Sequence, residues 1–202
     1  MLLRLLLTGW LIAGPIVVAC GQEDLDLEFR RVALVNQELI RYGASVDVTP
    51  RSGESWQLIF RWAPNAIEAD DVPGTLEDFP SLASLRLNEV QLDSNYLPEV
   101  LVHRLQEIET GLDSLSFRGN AITNAQVSSV LNKMKASVGV LRLTCPRVSP
   151  EILESINSDK IGYVVIVGDQ PLRLRFLRFV DESDKKFVPV VLLPPLKKDG
   201  SS

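Results

Sequence analysis

One apolar spacing constrains this chain more than any other feature of its sequence. In its full form it runs from Leu112 to Ile122, with leucine, leucine, phenylalanine, asparagine and isoleucine at positions 1, 4, 6, 9 and 11 of the segment. A coil with this spacing can bury its apolar side chains only against the coil before it and the coil after it. The spacing therefore predicts a short solenoid, an α/β fold in which parallel strands alternate with short helices.

The spacing recurs along the chain, and an alignment on Leu112 predicts five repeats. They start near Gln57, Leu82, Leu112, Val138 and Ile161, at intervals of 25, 30, 26 and 23 residues. Each interval has room for one strand and one short helix. Inward apolar residues alternate with outward residues in each predicted strand, as half-buried strands require. The predicted strand cores are Phe60-x-Trp62, Leu85-x-Leu87, Leu115-x-Phe117, Leu141-x-Leu143 and Val164-x-Ile166.

The two ends of such a stack need to be covered. At the amino-terminal end we expect a helix from about residue 25 to residue 42 that stops at Gly43. A hairpin should follow, and its second arm should be the first repeat strand. At the carboxyl-terminal end, the alternation Leu172-x-Leu174-x-Phe176 and the run from Phe187 to Leu193 predict a β-hairpin that closes the stack.

The start of the chain has the pattern of an export signal. One arginine precedes an apolar run, which includes glycine and proline and is shorter than the ~20 apolar residues of a membrane-spanning helix. The segment Val17-Val18-Ala19-Cys20 resembles the bacterial lipobox. That resemblance implies that residues 1–19 are a signal peptide and that Cys20 is lipidated, which would anchor the protein to a membrane of the cell envelope. The alternative is ordinary cleavage after Ala19, which would leave Cys20 as a free thiol on a secreted or periplasmic protein.

The rest of the chain is expected to form one domain. Residues 20–193 hold the repeats with their caps, and residues 194–202 are expected to be a disordered tail. The net charge of −5 argues against nonspecific binding to nucleic acid, which many lysines and arginines drive. If Cys20 is acylated, Cys145 has no partner, and the sequence excludes a disulfide framework.

Motifs of catalysis and of cofactor binding are missing from the sequence. It contains no glycine-rich phosphate loop and no nucleophile elbow. His103 is the only histidine, and we interpret it as a surface side chain of a helix. Cys145 is interpreted as a small packing residue. We therefore expect no catalytic residue, no metal and no cofactor, and a protein that is not an enzyme.

The order of helix, hairpin and repeats resembles the leucine-rich-repeat domains of exported bacterial proteins. The resemblance covers about residues 28–170 and includes the segment Tyr42-Gly43-Ala44-Ser45-Val46-Asp47-Val48, where a helix end precedes a Gly-Ala-x-Val strand. The resemblance implies a protein-interaction module. It implies no catalytic residues, because the members of this family share none. The chain departs from the family pattern at the asparagine position, which only Asn65 and Asn120 occupy in the alignment above.

Outward strand positions of such a stack line up as columns on the concave face. In the predicted register four arginines share this face: Arg61, Arg86, Arg118 and Arg142. The planar guanidinium group matches carboxylates and phosphates, so we hypothesise a site for an acidic partner, either a protein surface or an anionic glycan. The alternative is a solvated face whose arginine stems cover apolar surface.

The sequence thus predicts an exported, lipid-anchored binding or scaffold module at the cell envelope. The alternative is a structural envelope component that packs against copies of itself or against wall polymers and has no discrete ligand.

Overall fold

The structure is a computed structural model, and it describes residues 27–51, 55–64 and 79–195. In these residues the helices are α1 (residues 27–39), α2 (Glu99–Gln106), α3 (Asn124–Lys133), α4 (Ile152–Ser155) and α5 (Gln170–Glu182). The strands are β1 (Ala44–Arg51), β2 (Ser55–Trp62), β3 (Glu89–Asp93), β4 (Leu112–Arg118), β5 (Val138–Thr144), β6 (Ile161–Val167) and β7 (Val190–Leu193). The predicted signal peptide, Cys20 and most of the predicted tail lie outside the described residues.

The strands of the described residues form one seven-stranded sheet, in which their spatial order is their order along the chain. β1 and β2 are an antiparallel hairpin, and each later strand is parallel to the strand before it. Parallel neighbours need a crossover connection, and α2, α3, α4 and α5 each stand between two such strands from β3 onward. The predicted α/β class is therefore confirmed as a mostly parallel sheet with helices.

The core lies between the sheet and the helices. Two rows of inward side chains cross β2 to β6 in register, and none of them is more than 2% exposed. The rows are Phe60, Val90, Leu115, Leu141 and Val164, and then Trp62, Leu92, Phe117, Leu143 and Ile166. Buried side chains of α2 to α5 belong to the same hydrophobic cluster, so these helices pack on one face of the sheet.

The predicted amino-terminal helix and hairpin are present. After α1, a short 3-10 turn ends at Gly43, whose φ of 68° lies in the left-handed region that glycine tolerates best. Asn36 joins α1 to the hairpin, because its side-chain oxygen accepts a hydrogen bond from the Val46 N–H at 2.6 Å and its side-chain amide donates to the Val46 carbonyl at 2.8 Å.

The second predicted strand is wrong. Leu85-x-Leu87 lies in a bent segment, and the strand beside β4 begins at Glu89 instead. In the observed register Val90 pairs with Leu115, so the strand core lies five residues later than predicted.

This shift moves the start of the apolar spacing from near Leu82 to Leu87, and the ninth position of the spacing then falls on Asn95. The sequence alignment had placed Val90 there. Leu82, Leu85 and Leu87 are all buried in the segment before β3. Because apolar residues fill both registers, hydrophobicity alone could not separate them.

The predicted closing β-hairpin is also wrong. Its first arm is part of α5, and its second arm, β7, runs parallel to β6 and so extends the sheet. Asp169 caps α5 by accepting a hydrogen bond from the Leu172 N–H at 2.9 Å, and Pro171 stands in the first turn. Leu172 and Phe176 are buried at helical spacing, whereas Leu174, which completed the strand-like alternation, is 42% exposed.

We expect Asp169→Ala to lower the free energy of unfolding by about 1 kcal/mol, because the first turn of α5 would lose its side-chain cap. Urea unfolding followed by circular dichroism measures this loss. The matched control is Asp181→Ala near the other end of α5, where a carboxylate opposes the helix dipole and its removal should cost nothing. Equal losses for the two variants would contradict the capping role of Asp169.

Candidate functional site

The face of the sheet opposite the helices, here called the open face, carries outward side chains in register. One row crosses the strands as Arg61, Gln91, Ser116, Arg142, Val165 and Val191. The next row, toward the carboxyl ends of the strands, is Asp93, Arg118, Thr144, Val167 and Leu193. The structure therefore brings three of the four predicted arginines, Arg61, Arg118 and Arg142, to one face.

Arg86 does not lie on the open face. It precedes β3 in the bent segment and lines a different cleft, together with Trp56 and Asn88. The register of β3 explains the difference, because Gln91 occupies the row position that was predicted for Arg86.

Arg61 is engaged by polar groups of the protein itself. Its guanidinium forms a salt bridge with Asp47 of β1 and donates to the Gln91 side-chain oxygen at 2.8 Å. Gln91 in turn lies within hydrogen-bond distance of Glu89, at 3.4 Å, and Glu89 also accepts from Gln57. This network pairs the charge of Arg61 with Asp47, so an acidic partner would have to compete with a carboxylate that already contacts Arg61 closely.

Arg118 has a weaker partner. Its nearest guanidinium nitrogen is 3.7 Å from the Asp93 carboxylate, and the two side chains are 65% and 52% exposed. An exposed pair at this distance contributes on the order of 0–1 kcal/mol, so a better-placed carboxylate can replace Asp93.

Arg118 also lines a cleft of about 450 Å³ at the carboxyl ends of the strands, together with Asn95, Asn120, Thr144 and Asp169.

Arg142 has both polar and apolar neighbours on the open face. In the part of the chain that the structure describes, no carboxylate forms an ion pair with it, and its row neighbours are Ser116 and Val165. Tyr163 and Val191, on β6 and β7, are about 40% exposed nearby on the same face. An exposed guanidinium without a carboxylate partner, beside apolar side chains, suits a partner that offers both an acid and an apolar surface.

Asn95 occupies the ninth position of the second repeat, which the alignment of the repeats assigned to Val90. Its side-chain oxygen accepts hydrogen bonds from the Asn120 N–H at 2.6 Å and the Ala121 N–H at 3.1 Å, so it joins the turn after β3 to the turn after β4. Counting the spacing from Leu87 rather than from Leu82 would have found it. Its place in the cleft means that the same bonds also hold the backbone beside Arg118.

Cys145 and His103 are placed as the sequence predicted. Cys145 is buried, its thiol donates to the Phe117 carbonyl at 3.4 Å, and burial raises its pKa to about 12. The thiol is therefore protonated at neutral pH and is not a nucleophile. The His103 side chain is 68% exposed on α2, with one ring nitrogen 4.0 Å from Glu107.

Over the residues that the structure describes, no group of histidine, cysteine and acidic side chains is arranged to hold a metal ion. No helix in these residues has the length and apolarity to cross a bilayer. Comparisons with protein-family models, with curated proteins and with solved structures find no match to this chain.

Proposed function

We propose that this protein is an exported, lipid-anchored interaction module of the leucine-rich-repeat type, and that it binds its partner through the open face. The observation that carries the proposal is the in-register parallel ladder from β2 to β6. Each strand contributes one residue to each buried row, and the helices of the described residues pack against one side of the sheet. A stack of repeats with a bare concave face requires this arrangement.

The binding site proposed is the part of the open face around Arg118 and Arg142. All three open-face arginines are exposed, but Arg61 is contacted closely by a carboxylate, whereas the nearest carboxylate to Arg118 is 3.7 Å away and Arg142 forms no ion pair in the described residues. A carboxylate of the partner could form short, charge-assisted hydrogen bonds with both Arg118 and Arg142. The exposed apolar side chains of Tyr163 and Val191 favour a protein surface over an anionic glycan as the partner.

The proposed location follows from the leader and from Cys20. A diacylated or triacylated cysteine would hold the domain at a membrane surface of the cell envelope, because each buried methylene contributes ~0.8 kcal/mol to the anchor. We propose a binding role without catalysis, supported by the burial of Cys145 and the position of His103 on α2, away from the open face.

The binding site is tested by charge reversal. Arg118→Glu and Arg142→Glu should each weaken the captured complex at least about tenfold, since a hydrogen bond to a charged group contributes about 1.5–3 kcal/mol. Partners are captured from envelope membranes of the source cells, and the affinity of each is then measured with purified components.

Arg86→Glu is the matched control, because it makes the same charge change on an exposed arginine away from the open face. Equal weakening by Arg86→Glu, or unchanged binding by the two open-face variants with intact melting curves, would remove the proposed site. Self-association of the protein, or its retention with insoluble wall, without a stoichiometric partner would support the structural alternative instead.

A further inference from the structure

An exposed aromatic pair lies where the described chain begins. Phe29 of α1 and Trp56 of β2 pack edge to face with ring centroids 5.5 Å apart, and they are 38% and 43% exposed. Together with Val48, Leu58 and Arg86 they line a cleft of about 340 Å³. Tryptophan and other large aromatic side chains that stay partly in water are typical of surfaces that meet a membrane interface or a partner.

The distance along the chain from Cys20 to this pair is short. Six residues lie between Cys20 and Leu27, the first described residue, which is itself 49% exposed. The seven residue-to-residue steps from Cys20 to Leu27 span at most about 25 Å, whatever path they take. Lipid chains on Cys20 would therefore keep the amino-terminal end of α1, and Phe29 with it, within reach of the bilayer surface.

The position of the pair in the sheet agrees with such a contact. Trp56 lies near the beginning of β2, whereas Arg118 is the last residue of β4. Since β2, β3 and β4 are parallel, the aromatic pair lies on the side where these strands begin, and the cleft at Arg118 lies on the side where they end. A membrane on the side where the strands begin would leave the proposed binding site facing away from it.

The charge near the pair is mixed. Arg86 and Glu28 line the cleft, and the six residues before Leu27 include three acids and no base. Electrostatic attraction to anionic lipids is therefore a minor part of the contact, and the apolar and aromatic side chains carry it.

We infer that Phe29 and Trp56 rest in the interfacial region of the bilayer that holds the Cys20 lipid, and so orient the domain on that membrane. The inference rests on the proposed lipid anchor. The occupant of the aromatic cleft is the lipid surface. The pair acts as a second contact beside the acyl chains, which hold the chain at the membrane but do not by themselves fix the orientation of the domain.

Tryptophan fluorescence tests the inference on the acylated, mature protein in phosphatidylcholine vesicles. Without residues 1–19 the chain has two tryptophans, Trp56 and the buried Trp62, which is 2% exposed. Lipids brominated at shallow acyl positions should quench the emission of Trp56 and leave that of Trp62, because only Trp56 would be at the interface. Trp56→Phe should abolish the quenching and preserve the fold.

A partition measurement supplies the energetic test. In the chain with Cys20→Ser, the double change Phe29→Ser and Trp56→Ser should weaken binding to the same vesicles about tenfold, from the apolar area withdrawn from the interface. The control is Leu174→Ser with Leu177→Ser, an equally exposed apolar pair on α5, which should leave vesicle binding unchanged.

Mass spectrometry of the same preparation distinguishes failure of the lipid anchor from failure of the membrane contact. A mature amino terminus without acyl chains would remove the anchor and, with it, the inference. Acyl chains on Cys20 without quenching of Trp56, or equal losses for the aromatic pair and the α5 pair, would overturn the membrane contact and leave the anchor standing.

Discussion

Replacing Phe117 with alanine is expected to lower the free energy of unfolding by about 3–5 kcal/mol. Phe117 is fully buried and stands in the middle of an inward row, between Leu92 and Leu143 of the neighbouring strands. Removing its ring leaves a cavity that both neighbours line, and a stack held on two sides cannot collapse into it easily. Urea unfolding monitored by circular dichroism gives the loss directly.

The matched control is Tyr163→Ala, which removes an aromatic ring from the open face, where the side chain is 40% exposed. We expect its cost to be less than about 1 kcal/mol, as for a surface substitution away from the core. Similar losses for the two variants would mean that the rows do not form the core as described.

Gly119→Ala is expected to cost about 1–3 kcal/mol, the range of an overpacked site. A methyl group at Gly119 would overlap the carbonyl of Ser94, which belongs to the turn after β3. That turn cannot move freely, because the Ser94 N–H donates to the Arg118 carbonyl at 2.9 Å. The same unfolding experiment measures the effect.

Gly111→Ala is the control for Gly119→Ala. There the added methyl would meet the Ser137 hydroxyl at 3.1 Å, and a flexible side chain can rotate away, so we expect little change in stability. A cost for Gly111→Ala as large as that for Gly119→Ala would show that loss of glycine, rather than the contact with Ser94, is responsible.

The sequence was sufficient to place the strands for which a single register puts apolar side chains in the core. β4, β5 and β6 lie where the cores Leu115-x-Phe117, Leu141-x-Leu143 and Val164-x-Ile166 predicted them. β3 was misplaced because the buried leucines before it offer an equally apolar register, and the choice depends on hydrogen bonds such as those of Asn95. Long-range bonds of this kind have no local signal.

α5 was misread for a different reason. Three alternating apolar residues satisfy the strand template, but Asp169 and Pro171 just before them are the start signal of a helix. When a short alternation of apolar residues conflicts with a helix-capping residue, the capping residue is the more specific indication of the structure. It satisfies a backbone N–H that would otherwise lack a partner.

The arginines of the candidate site could be predicted from the sequence where the register of their strand was predicted correctly. Arg118 and Arg142 belong to correctly placed strands and were found, whereas Arg86 was assigned to the open face only through the misplaced β3. The engagement of Arg61 by Asp47 depends on side-chain conformations across the hairpin, which the residue pattern does not specify. Sequence therefore identified the face, and the structure was needed to separate the available guanidinium groups from the engaged one.

The register of β3 against β4 is the claim on which the open face depends, and thiol trapping tests it directly. In a chain with Cys20→Ser, the pair Gln91→Cys and Ser116→Cys occupies neighbouring positions on adjacent strands, ~4.8 Å apart and within the range that a disulfide bridges. We predict that mild oxidation converts this pair to an intramolecular disulfide, seen by mass spectrometry, and leaves Arg86→Cys with Ser116→Cys reduced. Oxidation of the second pair but not the first would contradict the account.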